Sequence, residues 1–267
     1  MHSHGNADSR MVRVIINADD YAYDENRTLA ILKAWRIGAI TSTTALVNFE
    51  RVEDCMQRAV DAGLGDRVGF HFNLTRGYPL TKAIRGSRLF CNSSGEFNGG
   101  FFRKTRLGRL WLPKFERNAI RDEFKAQAER FIVAGGRCMH FDSHHHVHND
   151  LSVVSVILPL AVGMGFKSVR RPANLGDMTL CKMVAKTVVA GKIRRHLEFR
   201  TEFFGGFGDF ARRLSQLPDG SSVEVMVHPM FGALESLDLG DALTDSGISM
   251  ENRLEFLRRN SSVLVME

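Results

Sequence analysis

Short apolar runs rich in β-branched residues alternate with helical periodicity along this 267-residue chain, and that alternation limits the folds open to it. VRVIINA at Val12–Ala18, short, mostly apolar and β-branched, reads as a buried strand. Glu25–Ile37 follows as a helix that Gly38 stops. TTALVN at Thr43–Asn48 reads as a second strand, Val52–Ala62 as a helix ended by Gly63, and VGFHFN at Val68–Asn73 as a third strand. A helix over Glu116–Val133 precedes a strand at Cys138–Asp142. Helices over Val153–Met164 and Met178–Ala190 bracket a short strand at Ser168–Arg170. VEVMVH at Val223–His228 is a late strand, followed by a helix over Met250–Arg259 and a last strand at Ser262–Met266. Strands spaced by helices run mainly parallel, with the crossover helices packed outside the sheet. An open doubly wound sheet and a closed barrel both fit. With seven or eight candidate strands, the expected fold is α/β, an irregular (β/α) TIM-like barrel. Either architecture gathers functional side chains at the carboxyl ends of the strands.

The rhythm breaks after the third strand. Thr75–Pro113 carries turn signals, including SSGE and a Gly-Gly pair, and reads as a long insertion at about residues 75–115 within a single domain spanning 11–267. The first ten residues, MHSHGNADSR, lack the apolar core of a secretory signal and are set aside as a tail, a vector remnant being one source. His2 and His4 therefore stay outside the fold argument.

The net charge of +6 is local. Phe101–Arg121 holds seven basic residues (Arg103, Lys104, Arg106, Arg109, Lys114, Arg117, Arg121) and one acid, Glu116, an excess equal to that of the whole chain. Charge confined to one segment, with no nucleic-acid-binding motif beside it, argues against a nucleic-acid partner. No apolar run reaches the roughly 20 residues of a membrane helix, so stable membrane insertion is not expected. The four cysteines form no Cys-x-x-Cys pair, and reduced thiols in the cytoplasm are the expectation. A homodimer is expected only because that is the commonest oligomer.

The polar residues that stand out fall at strand ends. Asn17, Asp19 and Asp20 close the first strand in INADDY, and His71 lies near the end of the third in GFHFNLT. HFDSHHHVHND places His140, Asp142, His144, His145, His146 and His148 at and beyond the fourth. Arg170 and Arg171 follow the fifth, and His228 ends a later strand. Regular alternation would put His140, Asp142, His144, His146 and His148 on one face, though only those near the strand end can reach a common centre. A polar surface loop rich in histidine is the plainer reading of the segment, as a turn or helix-cap pair is of Asp19–Asp20. In regular β-structure those two carboxylates point opposite ways. At a turning strand end, one can ligate while its neighbour approaches from behind. Two histidines and one carboxylate suit one divalent ion with open positions: Zn, Mn, Co or Fe, with Mg a less typical candidate because it prefers oxygen.

These motifs, INADDY, ITSTTALVN, GFHFNLT, HFDSHHHVH and EVMVHP in that order, resemble the YdjC family of carbohydrate deacetylases over about Val12–Pro229, interrupted by the divergent middle segment. The resemblance implies an irregular (β/α) barrel and a metal held by Asp20, His71 and His144. It further implies Asp19 as general base and, partly by analogy with polysaccharide deacetylases, His228 as general acid and Arg170 as the residue orienting Asp19 or the oxyanion. His146 and His148 are pocket candidates without a role. The implied substrate is a small N-acetylated amino sugar or oligosaccharide. Other readings are a metal-dependent phosphoesterase, which often needs two or three metals, and a sugar-binding relative without turnover. In the middle segment, Phe101, Phe102, Trp111 and Phe115 lie among the basic residues, as in a lid, a sugar-stacking wall or a patch for an anionic or lipid-linked substrate. A solvated helix face with anchoring aromatics fits equally.

Overall fold

The computed structural model describes residues 11–231, 237–238, 255–257, 259–260 and 263–265. Its centre is a nine-stranded sheet in which every pairing is parallel. β1 (Val12–Tyr21) is followed by α1 (Glu25–Arg36), β2 (Ser42–Ala45), α2 (Val52–Asp61) and β3 (Val68–Phe72). The segment after β3 carries α3 (Lys82–Arg85) and α4 (Arg106–Leu110) before the 20-residue α5 (Lys114–Val133). Then come β4 (His140–Ser143), α6 (Leu151–Gly163), β5 (Ser168–Val169), α7 (Leu180–Arg194), β6 (Glu198–Phe199), β7 (Phe203–Gly206), α8 (Phe207–Arg213) and β8 (Ser222–Val227). β9 (Met230–Phe231) and β10 (Leu237–Asp238) make a small antiparallel pair, and β11 (Val263–Val265) returns to the main sheet.

The strand order is β6-β5-β4-β3-β2-β1-β8-β7. β1 is the central stave. β8 lines one edge, while β2 lines the carboxyl half and β11 the amino end of the other. Among the described residues β6 and β7 are the sheet's two ends, so the curved sheet is a half-barrel rather than a ring closed by hydrogen bonds. The expected elements are present with shifted bounds. β1 runs three residues past Ala18, and α7 continues to Arg194. β6, β7 and α8 are additions to the expected set, because two-residue strands and the glycine-bearing FFGG carry no usable periodicity. Of the helix expected over Met250–Arg259, residues 255–257 and 259 are helical and the rest lies outside the described residues, as does the N-terminal tail.

α1 begins where the Asp24 side chain accepts from the Arg27 amide at 2.7 Å, and it ends at Gly38, whose φ of +70° suits a residue without Cβ. The outer face of the sheet is apolar where helices cover it. Phe70 on β3 meets Phe124 and Phe131 of α5 and Phe166 after α6, with ring centroids 5.6–5.8 Å apart. The segment after β3 is tied to α5 by a buried carboxylate. Glu123 accepts from the backbone amides of Leu80 and Thr81 at 2.9 Å and from the Thr81 hydroxyl at 2.8 Å. Phe90, Phe97, Phe102 and Leu112 are buried under it. Phe124 is fully buried and contacts four aromatic rings. Phe124→Ala is expected to cost about 3–5 kcal/mol of stability, measurable by urea unfolding.

Candidate metal centre

The two adjacent aspartates are separated by a break in β1. Its pairing with β2 runs Ala18↔Thr43 and then Tyr21↔Ala45, so that Asp19 and Asp20 on one strand stand against Thr44 alone on the other, which is a β-bulge. Asp20 occupies the extra position at φ +70°, a left-handed conformation costly for any residue with a Cβ and least so for Asp and Asn. Ala22 follows at φ +67°. This distortion lets both carboxylates serve one centre, which regular alternation forbids. Strained backbone of this kind concentrates at functional sites.

The histidine-rich segment does not stay extended, so its histidines do not share one face. β4 ends at Ser143, and His144–Asn149 coil tightly, with His145 and His146 at φ +51° and +53°. The turn sends His144 toward Asp20 and stacks the exposed-side His145 on it, ring centroids 4.0 Å apart. It folds His148 back so that its Nδ1 lies 2.5 Å from the Ser143 hydroxyl. His146 packs edge-on against Phe204. His140 stays under the sheet next to Gly69, where a Cβ on residue 69 would lie 3.3 Å from its ring and 2.9 Å from the Thr44 methyl.

Asp20, His71 and His144 converge. The Asp20 Oδ1 atom lies 3.0 Å from His144 Nδ1 and 3.3 Å from His71 Nε2. All three side chains are buried, with donor atoms within 4.8 Å of one another. Asp20 Oδ1 nevertheless makes no hydrogen bond. Two donors about 2.1 Å from a common ion at tetrahedral or octahedral angles sit roughly 3.0–3.4 Å apart, so these spacings fit a bound cation. On its far side His71 Nδ1 meets Asp142 Oδ1 at 2.5 Å, the carboxylate–histidine support typical of a metal-ligating imidazole. Thr44 Oγ1 is 3.1 Å from the same nitrogen and 3.2 Å from Asp142 Oδ2.

Behind this cluster stands Arg170, fully buried. Its Nη1 and Nη2 donate to the two oxygens of Asp19 at 2.7 and 2.6 Å, Nη1 also lies 2.6 Å from Asp142, and Nε donates to Glu224 at 2.8 Å. Phe204 lies under the guanidinium at 4.7 Å. Asn17 adds a bond from its Nδ2 to Asp19 Oδ1 at 2.9 Å, its own carbonyl fixed by Ser42 and by the half-buried Arg200. Burial opposes ionisation of Asp19, but Arg170 outweighs it and holds the carboxyl far below the ordinary range. For His71, burial disfavours the charged form while Asp142 overrides it and lifts the ring to about 10. Burial and the Arg170 charge push His146 down to about 3, so it is neutral at neutral pH. His228, at the end of β8, is partly exposed with a buried, unpartnered Nδ1, and its charge helps depress Asp19.

The site residues expected from the motifs thus fall together at the carboxyl ends of β1, β3, β4, β5 and β8. The motifs alone give no role to Asp142 and pass over Glu224, Thr44 and Arg200. Glu224 does carry a signal: a lone acid inside the apolar run VEVMV on a central strand must be paired to be buried.

Fold and site together define a parallel (β/α) protein built around a buried Asp-His-His centre. The chain belongs to the YdjC-like protein family, whose model matches residues 13–259. It is 33% identical over 225 residues to a chitooligosaccharide deacetylase of Escherichia fergusonii, covering 82% of this chain and 81% of that one. It is 31% identical over 224 residues to a carbohydrate deacetylase of Brevibacillus brevis, covering 82% of each. Its fold is similar to that of an Enterococcus faecalis V583 crystal structure, provisionally described as a cellobiose-phosphate cleavage protein. The TM-score is 0.70 at 21% identity, covering 96% of this chain and 97% of the other.

Removing Arg170 would leave three buried carboxylates without their cation. Arg170→Met is expected to destabilise the fold by about 3–5 kcal/mol at neutral pH. In the wild type the depressed Asp19 pKa contributes stability that is present above the unfolded value of about 3.9 and lost as pH falls through the folded one. In the variant Asp19 keeps the opposing effect of burial without its guanidinium, so its folded-state value rises above the unfolded one and the deficit narrows as pH falls from 7 toward 4. Denaturant unfolding across that range checks the sign.

Proposed function

We propose that this chain is a metal-dependent hydrolase that removes the acetyl group from an N-acetylated amino sugar or oligosaccharide. The observation that carries the reading is the convergence of Asp20, His71 and His144 on a buried, unpartnered carboxylate oxygen beside an arginine-held second carboxylate. Membership of the YdjC-like family and the deacetylase names of two relatives point to the same chemistry. Asp20, His71 and His144 would hold one divalent ion, with Zn, Mn, Co and Mg as candidates, Zn matching the nitrogen donors best. When bound, such an ion supplies Lewis acidity and makes water acidic enough to act as a nucleophile near neutral pH.

The chain's own residues supply the rest. Asp19, kept ionised by Arg170, takes the proton of the attacking water as its oxygen bonds to the acetyl carbon. Arg170 gives Asp19 one N–H from each Nη atom and so orients it. As the C–N bond breaks, His228 delivers a proton to the departing nitrogen, without which an amine anion would have to leave. Acetate and the free amino sugar result. His146 is too weakly basic to share that task.

A two-metal phosphoesterase is less well supported. The other two donor groupings, Asp19–His71–Asp142 and His140–Asp142–Glu224, share carboxylates already paired with Arg170. The four cysteines are free, consistent with a cytoplasmic enzyme, and a homodimer belongs to the same proposal.

Elemental analysis is expected to find one transition-metal ion per chain, with acetate release from diacetylchitobiose abolished by chelation and restored by adding the ion back. Absence of metal after such addition sinks the assignment. Asp19→Asn is expected to lower kcat by about 10²–10⁴ with metal still bound. His144→Ala is expected to lose the metal together with activity. If Asp19→Asn also empties the site, the division of roles between the two aspartates is wrong.

A further inference from the structure

In a parallel β/α fold the amino ends of the crossover helices lie at the same end as the carboxyl ends of the strands, so they ring the active face. Here that ring is unusually apolar. Phe101, Leu107, Leu110 and Trp111, in the segment leading to α5, are 48–66% exposed, as is Phe115 in its first turn. Leu180, Met183 and Val184, in the first turns of α7, are 46–73% exposed. Around the first group, Lys104, Arg106, Arg109, Lys114 and Arg121 are exposed as well. Lys104 lies over the Phe101 ring at 5.0 Å. Across residues 101–121 the only acid is Glu116.

The segment is also fastened to the centre. Arg103 donates to the His145 carbonyl at 2.6 Å, and Arg103 and Arg109 grip the buried Asp150 at 2.5 and 2.6 Å, directly after the histidine turn. Gly108 accepts from Ser152 in the first turn of α6 at 2.7 Å. Its outward face is therefore held in a fixed relation to the mouth of the site.

We infer that this rim is a docking surface for an anionic lipid bilayer, which seats the protein with its active face toward the membrane. Charge complementarity selects an anionic partner. The aliphatic side chains select a bilayer over a polyanion, since Leu107, Leu110, Leu180, Met183 and Val184 have nothing to gain from nucleic acid. A Trp and two Phe flanked by Lys and Arg is the composition of an element lying in the headgroup region. Among the described residues no helix is long and apolar enough to cross a membrane, so the contact is peripheral and salt-sensitive. The inference stands apart from the hydrolase reading and is tested without turnover.

The experiment is co-sedimentation of the full chain with vesicles of equal parts phosphatidylglycerol and phosphatidylcholine, against pure phosphatidylcholine. Binding is expected only to the anionic vesicles, with a blue shift of tryptophan emission. It should be lost at about 1 M salt, where the Debye length falls to about 3 Å. The exposed pair Trp111→Ser with Phe115→Ser should weaken partitioning at least roughly tenfold. Lys104→Glu with Arg106→Glu should do the same by charge. No binding to anionic vesicles, or binding unchanged by both variants, overturns the inference. Binding of a homopolymeric RNA with no vesicle binding, or a dimer that covers Trp111 in solution, overturns it in favour of that partner.

Discussion

The interaction on which the rest of the centre depends is the grip of one buried guanidinium on three carboxylates. Arg170 comes from the end of β5, Asp19 from β1, Asp142 from β4 and Glu224 from β8. A planar fork with fixed donors can bind both oxygens of Asp19 while spending its Nε on a third strand, which a lysine ammonium cannot do. The result cross-ties staves that are far apart in the strand order, across the hollow of a half-barrel whose ends no hydrogen bond joins among the described residues. Burying an ion group of this kind is expensive, and hydrophobic side chains would hold the sheet as well. Its retention here fits the need to keep Asp19 ionised and fixed beside Asp20.

Charge counting ties that grip to the neighbouring donors. Four carboxylates, Asp19, Asp20, Asp142 and Glu224, are buried around two guanidiniums, the buried Arg170 and the half-buried Arg200. Four less two leaves an excess of two negative charges. A divalent cation held at Asp20 would balance it. Without one the site draws a proton onto His71, the direction in which Asp142 already pulls that ring. The neutral histidines around it, His140, His146 and His148, keep any further positive charge away from the cluster because burial disfavours their protonation.

The fold was legible in the sequence wherever period and length agreed. VRVIINA and VEVMV are short, mostly apolar and β-branched, and their strands pair with each other over six residues at the centre of the sheet. Nothing comparable marks β6, two residues of an edge strand held by its register to β5. The candidate site was legible as a set of residue types at strand ends, because Asp and His are seldom buried together there unless they bind or catalyse. Its geometry was not. The bulge at Asp19–Asp20 and the left-handed pair His145–His146 have only a weak local signature, since Asp and His tolerate positive φ better than most residues but do not call for it as glycine does. Both conformations are imposed by tertiary contacts, which is why strict alternation misplaced the histidines.

The same logic bears on the segment after β3. Charge and aromatic content were visible in the sequence, but they are equally the marks of a solvated helix and of an interacting one. What separates the two is which side chains the fold leaves uncovered and what the others hold. Phe102 and Leu112 point inward and anchor the segment, whereas Trp111, beside Leu112 in the chain, is more than half exposed. A segment that merely needed anchoring would bury its largest ring first, because that ring has the most apolar area to remove from water. Here the ring stays outside while Arg103 and Arg109 turn back to Asp150 at the head of α6. The burial pattern thus ties the inward contacts to the histidine turn and leaves the outward face uncovered among the described residues.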